Sequence, residues 1–131
     1  MTTDPLAEAA LEARRNAVAP YSNFKVGAAL LTEDGKVYTG CNVENATYGL
    51  SMCAERVALF KALSEGERHF RRIAVSSQSS RPATPCGSCR QLLWEFAGDI
   101  EIILVNPQGS RETRQLKTLF PEAFDASFLG G

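Results

Sequence analysis

The sequence predicts an α/β domain in which helices cover the faces of a β-sheet. Its 131 residues suffice for one compact domain, placed at 1–131, because domains typically run to roughly 100–200 residues. Apolar residues make up 44% and charged residues 22% of the chain, which is typical of globular proteins and argues against disorder or a fibrous repeat. Strand-like and helix-like segments alternate after an opening hairpin. Such alternation predicts right-handed parallel crossovers in a layered fold.

A helix and a hairpin are predicted at the start of the chain. Small and apolar residues recur with helical spacing between Asp4-Pro5 and Pro20, which indicates the first helix. Residues 24–31 and 36–41 form two extended runs, and Asp34-Gly35 between them is a hairpin signal. We therefore expect an antiparallel pair of strands to open the sheet.

The segments that follow supply another helix, two strands and a tail. Residues 51–63 have apolar residues at helical spacing, and Gly66 is suited to end that helix. Residues 73–77 and 101–105 are short apolar runs, typical of buried strands. Residues 115–128, near the end of the chain, predict a short helix that Pro121 interrupts.

One more helix is predicted between the two apolar strands, at residues 85–97. Thr84 suits the N-cap position, and Pro85 suits the first helical position, where its missing N–H costs nothing. We expect this helix to bury Leu92, Leu93 and Phe96. With it, the order of elements becomes strand, helix, strand, helix, strand.

The charge balance favours a small ligand over a polyanion. The chain carries 14 Lys+Arg and 15 Asp+Glu, a formal charge of −1, whereas nucleic-acid binding usually needs a strongly basic surface. No apolar run approaches the roughly 18–20 residues that span a bilayer. The first residues also lack a basic segment followed by an apolar one. We therefore expect a cytoplasmic protein with no nucleic-acid partner and no membrane partner.

The cysteines form a candidate metal site. Without an export signal, four cysteines are more often metal ligands or catalytic groups than disulfides. Cys86 and Cys89 are about 4.5 Å apart along a helix axis and share a face, so both sulfurs can bind one ion. Cys53 begins the preceding helix, and a crossover strand can bring the two helix N-termini together. Three protein ligands leave one zinc position open for water, which is typical of a catalytic site.

Other interpretations of these cysteines remain open at this stage. A Cys-x-x-Cys motif alone also occurs in redox pairs and in structural zinc half-sites. A redox pair would explain neither Cys53 nor the glutamate two residues after it. A fourth ligand from Cys41 would close the coordination sphere, but Cys41 ends a predicted strand and lacks the short spacing of structural sites. A buried free thiol is the favoured interpretation of Cys41.

Two charged residues follow Cys53 directly. Glu55 stands where a carboxylate can take a proton from a metal-activated water and pass it to a substrate. Its alternative role is to stabilise the helix N-terminus. Arg56 can hydrogen-bond to the cysteine sulfurs, which would withdraw negative charge and restore Lewis acidity to a zinc ion bearing three thiolates. The alternative is an ordinary exposed arginine.

These motifs resemble those of the zinc-dependent nucleoside deaminases, and of the small homotetrameric cytidine deaminases in particular. The two halves of the signature are Cys53-Ala54-Glu55 and Pro85-Cys86-Gly87-Ser88-Cys89, in the three-cysteine variant of the pattern. The resemblance extends nearly end to end and includes flanking strings typical of enzymes that act on free nucleosides. Those strings are PYSNFKVGAAL at residues 20–30, GCNVENATYG at 40–49 and LFPEAF at 119–124.

The resemblance implies a fold, a cofactor and a set of site residues. The implied fold is a three-layer α/β/α structure with a mixed five-stranded sheet, cytidine deaminase-like. The implied cofactor is one Zn²⁺ per subunit, held by Cys53, Cys86 and Cys89, with Glu55 as the proton shuttle. The implied substrate contacts are Phe24, Asn42, Glu44, Asn45, Tyr48, Ala54 and Phe124, and Arg56 lies behind the zinc ligands.

The resemblance also implies an activity and an assembly. The activity is hydrolytic deamination of cytidine and deoxycytidine to uridine and deoxyuridine plus ammonia, as in pyrimidine salvage. The assembly is a homotetramer with shared active sites, in which Phe124, or its rival Phe128, closes a neighbouring pocket. Two other functions remain: deamination of an antibiotic of the blasticidin type, and a non-catalytic structural zinc module.

Overall fold

The computed structural model describes residues 4–130, which form a five-stranded mixed sheet flanked by helices. The strands are β1 (Val26–Thr32), β2 (Val37–Cys41), β3 (Phe70–Ser77), β4 (Glu101–Val105) and β5 (Arg111–Gln115). The helices are α1 (Pro5–Arg14), α2 (Ala54–Ser64), α3 (Gly87–Ala97) and α4 (Leu116–Leu119), with 3₁₀ turns at Tyr48–Leu50 and Ala126–Leu129. Across these residues no helix is both long and apolar enough to cross a membrane.

The strand order is β2-β1-β3-β4-β5. Strand β1 pairs antiparallel with both β2 and β3, so β2 and β3 run in the same direction. Strand β4 is parallel to β3, and β5 is antiparallel to β4 at the edge. The predicted hairpin and the mixed five-stranded sheet are confirmed.

Two hydrophobic clusters lie on opposite faces of the sheet. On one face, Leu6 and Ala10 of α1 pack against Ala29, Ala74 and neighbouring strand residues. On the other face, α2 and α3 pack against the residues of alternate parity in the same strands. Successive side chains of a strand point to opposite faces, so one apolar strand supplies both clusters. This is the three-layer α/β/α arrangement that the family resemblance implies.

The structure corrects the predicted start of the third helix. Helix α3 begins at Gly87 and its N-cap is Cys86, so the assignments of Thr84 and Pro85 to the helix start are wrong. The Thr84 hydroxyl accepts a hydrogen bond from Arg90 instead. Phe96 is 39% exposed, so its predicted burial is also wrong.

The C-terminal part of the chain departs most from prediction. Strand β5 was not predicted, because its sequence, RETRQ, is polar and lies on an exposed edge where no apolar alternation is needed. The predicted helix at 115–128 is reduced to the single turn of α4 and the 3₁₀ turn at Ala126–Leu129. Between them the chain is irregular, beginning one residue before the predicted interruption at Pro121.

Two glycines let helices approach the sheet closely. A Cβ on Gly27 would lie 2.2 Å from the Ala10 carbonyl oxygen and 2.4 Å from the Arg14 amide nitrogen, both backbone atoms of α1. A Cβ on Gly40 would lie 2.6 Å from the Ala58 nitrogen of α2. Only glycine leaves room for backbone at these distances. Gly40 therefore sets how closely α2 packs on the sheet.

The close approach at Gly27 predicts a strong destabilisation by Gly27→Ala. We expect the free energy of unfolding to fall by about 3 kcal/mol, because backbone must move to admit the methyl group. Urea denaturation measures the difference. Gly49→Ala is the matched control: nothing lies within 4 Å of its Cβ position, so its stability should be unchanged or slightly higher. Equal stability of Gly27→Ala and the wild type would contradict the close packing.

Asp4 ties the start of α1 to the sheet. Its carboxylate accepts a hydrogen bond from the Leu6 amide at 2.9 Å, as an N-cap does, and pairs with Arg72 at 3.0 Å and Arg111 at 3.1 Å. Burial acts to raise the pKa of Asp4, but the Leu6 hydrogen bond and the two guanidinium groups outweigh it and lower that pKa. The carboxyl group is therefore more acidic in the folded chain than in the unfolded one.

The lowered pKa of Asp4 predicts a pH-dependent effect of Asp4→Asn. The charge contributes fully above the unfolded pKa of about 3.9 and loses its contribution as pH falls through the lower folded pKa. We expect the variant to be less stable by about 1–2 kcal/mol at pH 7, with the difference shrinking below about pH 4. Urea denaturation across pH measures it.

The control for Asp4 is Glu12→Gln, which breaks a pair with Arg15 in which both side chains are more than 70% exposed. We expect little change in stability from this variant, since exposed pairs contribute little. A difference for Asp4→Asn that stayed constant down to pH 2 would show that its charge is not responsible.

Candidate active site

Three cysteine side chains meet where α2 and α3 begin. The sulfur atoms of Cys53, Cys86 and Cys89 all lie within 4.8 Å of one another, and those of Cys53 and Cys86 are 3.8 Å apart. Tetrahedral zinc with Zn–S bonds of about 2.3 Å separates its sulfurs by about 3.8 Å. The cluster therefore has the size and donor set of a tetrahedral zinc site with three protein ligands.

Helix termini position all three sulfurs. Cys53 is the N-cap of α2, Cys86 is the N-cap of α3, and Cys89 lies in the first turn of α3. The positive end of a helix dipole stabilises a nearby thiolate. Strands β2 and β3 run in the same direction, so α2 and α3, which follow them, begin at the same edge of the sheet. The predicted meeting of two helix N-termini is what the structure shows.

The crowded sulfurs do not share protons equally. A hydrogen bond from Cys89, assisted by Arg56, lowers the pKa of Cys53 to about 5. The same hydrogen bond, together with burial, raises the pKa of Cys89 above its usual range. Three thiolates at these distances repel one another, so a cation is needed to hold all three in the deprotonated form.

Arg56 contacts the cluster of three cysteine sulfurs through its guanidinium group. Its Nη2 donates a hydrogen bond to the Cys53 sulfur at 3.5 Å, as the sequence predicts for a group that withdraws charge from the thiolates. Its Nε is buried without a hydrogen-bond partner within the described part of the chain. An unsatisfied buried donor beside three sulfurs favours the deprotonated, negatively charged cluster.

Glu55 lies in the first turn of α2 and is 6% exposed. Burial is the main cause that raises the pKa of Glu55 to about 7; the charge on Cys53 acts in the same direction, and a backbone hydrogen bond and Arg56 act against it. Glu55 lines the same cavity as Cys53 and Cys86. A buried carboxyl group on a cavity wall can exchange a proton with a bound molecule.

The cavity beside the thiols holds about 440 Å³, which is enough for a small molecule. Its lining includes most of the predicted substrate contacts: Phe24, Asn42, Glu44, Tyr48 and Ala54. Arg56 also lies on its wall. The cavity is therefore where the predicted substrate residues and the predicted metal ligands come together.

Hydrogen bonds hold Glu44 and Asn42 in the cavity wall. Glu44 accepts hydrogen bonds from the backbone amides of Tyr21 and Ser22 and from the Ser22 hydroxyl, and these bonds lower its pKa. Asn42 accepts from the Val26 amide and donates to the Phe24 carbonyl, both at 2.8 Å. Asn42 thus fixes the segment that carries the Phe24 ring.

Some predicted contacts do not reach this cavity. The Asn45 side chain accepts a hydrogen bond from the Thr47 amide and does not line the cavity. Phe124 and Phe128 stack on each other with ring centroids 5.2 Å apart and are 55% and 68% exposed. Neither ring lines the cavity of its own chain.

Comparison with known proteins decides the family. Residues 2–105 match the family model described as "Cytidine and deoxycytidylate deaminase zinc-binding region". The chain belongs to the cytidine and deoxycytidylate deaminase family. Zinc is the cofactor of this family, and the three-cysteine cluster is the group of residues that fits it.

Individual members of the cytidine and deoxycytidylate deaminase family resemble the chain over nearly its whole length. The cytidine deaminase of Sporosarcina psychrophila is 46% identical over 98% of this chain and 96% of the relative. That of Halalkalibacterium halodurans is 49% identical over 96% of each. The crystal structure of cytidine deaminase from Burkholderia pseudomallei superimposes with a TM-score of 0.90 at 54% identity, covering 95% of this chain and 100% of that one.

Several residues of the deaminase cavity were not predicted from the sequence. They include Ser22, Val26, Ser51, Met52, Val75, Ala83 and Thr84. Ser22 and Val26 stand within the string PYSNFKVGAAL, so their position in a family motif was the available signal. The other side chains are small or apolar and carry no chemical signature, so only the folded chain identifies them as cavity wall.

Proposed function

We propose that the chain is a zinc-dependent hydrolase that converts cytidine and deoxycytidine to uridine and deoxyuridine with release of ammonia. The observation that carries the proposal is the convergence of three cysteine sulfurs and the buried Glu55 on one cavity of about 440 Å³. Family membership and the relatives named cytidine deaminase support this substrate class. The bond broken is a carbon–nitrogen bond of a cyclic amidine.

In this proposal Cys53, Cys86 and Cys89 hold one zinc ion per subunit. Zinc, when bound, acts as a Lewis acid that makes water nucleophilic near neutral pH. Arg56 offsets part of the negative charge of the thiolates through its hydrogen bond to Cys53. Among residues 4–130, Cys41 does not belong to the cluster, so a fourth cysteine ligand, as in a structural zinc module, has no support in the geometry.

Glu55 moves the protons. Its carboxylate takes a proton from the attacking water and delivers it to N3 of the cytosine ring while the water oxygen bonds to C4. It then takes the remaining hydroxyl proton and delivers it to the exocyclic amine. The C4–N bond breaks, ammonia leaves, and the C4 oxygen becomes the carbonyl of uridine. The atoms of cytidine and water thus equal those of uridine and ammonia.

The part of the cavity wall formed by Phe24, Asn42 and Glu44 is suited to a sugar without a phosphate. Phe24 offers an aromatic face to the nucleoside, while Glu44 accepts from a ribose hydroxyl and Asn42 donates to one. Among the described lining residues, Arg56 is the one that carries a positive charge, and it is engaged with Cys53. A phosphate would meet the Glu44 carboxylate, so we propose a free nucleoside and not a nucleotide.

We further propose a cytoplasmic homotetramer with shared active sites and a role in pyrimidine salvage. Tyr48 and Leu50, beside the cavity, are 73% and 69% exposed, and Phe124 and Phe128 are exposed at the other end of the chain. Burial of such surface in an assembly is favourable. Because neither Phe ring lines its own cavity, a neighbouring subunit is the place where one of them can cap a substrate. A sedimentation mass near 14.2 kDa would defeat this arrangement.

Four substrates test the activity: cytidine, deoxycytidine, deoxycytidylate and blasticidin S. We expect ammonia release and loss of the cytosine absorbance with the two nucleosides, much slower turnover with the nucleotide and the antibiotic, and loss of activity after chelation. Faster turnover of blasticidin S than of cytidine would reassign the chain to antibiotic deamination. Retained zinc with no turnover of any of the four would favour a structural zinc module.

A further inference from the structure

The guanidinium group of Arg90 on α3 joins two separate segments of the chain. Its Nε donates to the Pro85 carbonyl at 2.8 Å, its Nη2 donates to the Thr84 hydroxyl at 2.7 Å, and its Nη1 donates to the Leu119 carbonyl at 2.7 Å. All three nitrogens are therefore engaged. Within residues 4–130 no carboxylate forms an ion pair with Arg90, so its role there is to direct hydrogen bonds to neutral oxygens.

Two of these three acceptors lie directly before a proposed metal ligand. Thr84 and Pro85 precede Cys86, and Ala83, Thr84 and Cys86 together form one wall of the cavity. We call residues 84–86 the ligand loop. Cys86 is an N-cap with no side-chain capping bond, and it is exposed, whereas Cys89 is buried inside the helix. The position of the Cys86 sulfur therefore depends on what holds the ligand loop.

The third acceptor lies at the end of α4. Leu119 packs against the core and begins the C-terminal tail, residues 119–129. Two other side chains of α3 bind this tail: Gln91 donates to the Phe124 carbonyl at 2.8 Å, and Trp94 donates to the Asp125 carboxylate at 3.1 Å. Neither of these hydrogen bonds reaches the ligand loop. Arg90 is thus the α3 side chain that contacts both segments.

We infer that Arg90 is a positioning residue that holds the ligand loop against the end of α4 and so keeps the Cys86 sulfur within the thiol cluster. The inference rests on the proposed zinc site. A planar fork with three directed donor atoms can satisfy acceptors on two segments at once, and a lysine ammonium at one point cannot reproduce that geometry. Groups that orient metal ligands commonly change metal affinity or activity about 10- to 100-fold when removed.

The test compares variants that remove hydrogen bonds of Arg90, either by changing Arg90 itself or by changing one of its acceptors. Arg90→Lys keeps the charge, Arg90→Gln removes it, and Thr84→Val removes one acceptor while leaving Arg90 intact. Gln91→Ala is the matched control, because it cuts a tail contact from the adjacent position without touching the ligand loop. The readouts are the rate of zinc release to a chromophoric chelator, the d–d absorption of Co²⁺ substituted for zinc, and kcat and KM measured separately.

We expect both Arg90 variants to release zinc about 10- to 100-fold faster and to show an altered Co²⁺ spectrum. For Thr84→Val we expect a smaller change in the same direction, and for Gln91→Ala a release rate equal to that of the wild type. The loss of activity should appear mainly in kcat, since the Arg90 side chain does not line the cavity.

Three outcomes would overturn the inference. Arg90→Lys could release zinc at the wild-type rate, which would show that the positive charge of the side chain is sufficient and that the geometry of its donors is not needed. Gln91→Ala could release it as fast as Arg90→Gln, which would point to general loosening of the tail. If the Arg90 variants do not fold, an unchanged release rate in Thr84→Val decides against the role. Absence of a cobalt–thiolate spectrum in the wild type would instead contradict the proposed zinc site itself.

Discussion

Glu55→Gln should keep the fold and the metal while losing nearly all turnover. The amide has the size of the carboxyl group, so the packing at this buried position is preserved, but it cannot accept and return a proton. General acid–base catalysis of this kind contributes about 10²- to 10⁴-fold, and we expect kcat to fall by at least that factor. The measurement is steady-state deamination of cytidine, with zinc content determined on the same sample.

The matched control is Glu65→Gln, the same chemical change at the exposed C-terminal end of α2. Its kcat and zinc content should equal those of the wild type. Substantial residual turnover by Glu55→Gln would contradict the assignment of Glu55 as the proton shuttle. Loss of zinc from the same variant would show that its carboxyl group supports the metal site directly.

Cys89→Ser should abolish stoichiometric zinc binding and, with it, all activity. Cys89 is buried within the cluster, and a serine hydroxyl is a far weaker zinc ligand than a thiolate. The expected result is a zinc content well below one ion per chain after dialysis against a mild chelator. Elemental analysis of the dialysed protein measures it.

Cys41→Ser is the control for Cys89→Ser and also separates two kinds of zinc site. Cys41 ends β2, pairs in register with Gly27 and lies outside the cluster of three sulfurs. We expect this variant to keep both its zinc and its activity. Release of zinc from Cys41→Ser would indicate a four-cysteine structural site and would argue against an exchangeable water on the metal.

Local patterns in the sequence predicted most of the sheet and the central helices. Strand β4 was predicted with the bounds it has, because IIL within EIILV is apolar throughout and a strand buried on both faces needs no alternation. The hairpin of β1 and β2 followed from Asp34-Gly35, and Gly35 does adopt a positive φ of 93°. Strand β5 escaped prediction because a polar edge strand is defined by its partner, β4, and not by its own composition.

The candidate site was predictable to the extent that its residues carry chemical signatures. The sequence alone shows thiols at the starts of two consecutive helices and a glutamate two residues after the first thiol. The burial of Glu55 and the roles of Ala83 and Thr84 in the cavity wall are not, because they depend on which elements pack against them. The predicted contact of Asn45 shows the same limit, since its side chain binds the Thr47 amide instead of facing the cavity.

By itself the sequence determined the α/β class, the family and the types of metal-binding and proton-transferring groups, since these follow from periodicity and from residue types at short spacing. Only the tertiary structure decided that Cys53 meets Cys86 and Cys89, 4.8 Å or less apart, across an intervening strand. It also decided that Arg90 joins the ligand loop to the tail. The first depends on strand order and on the close approach of α2 to Gly40, and the second on how α3 and α4 pack together. These are properties of the packed chain and not of any local segment.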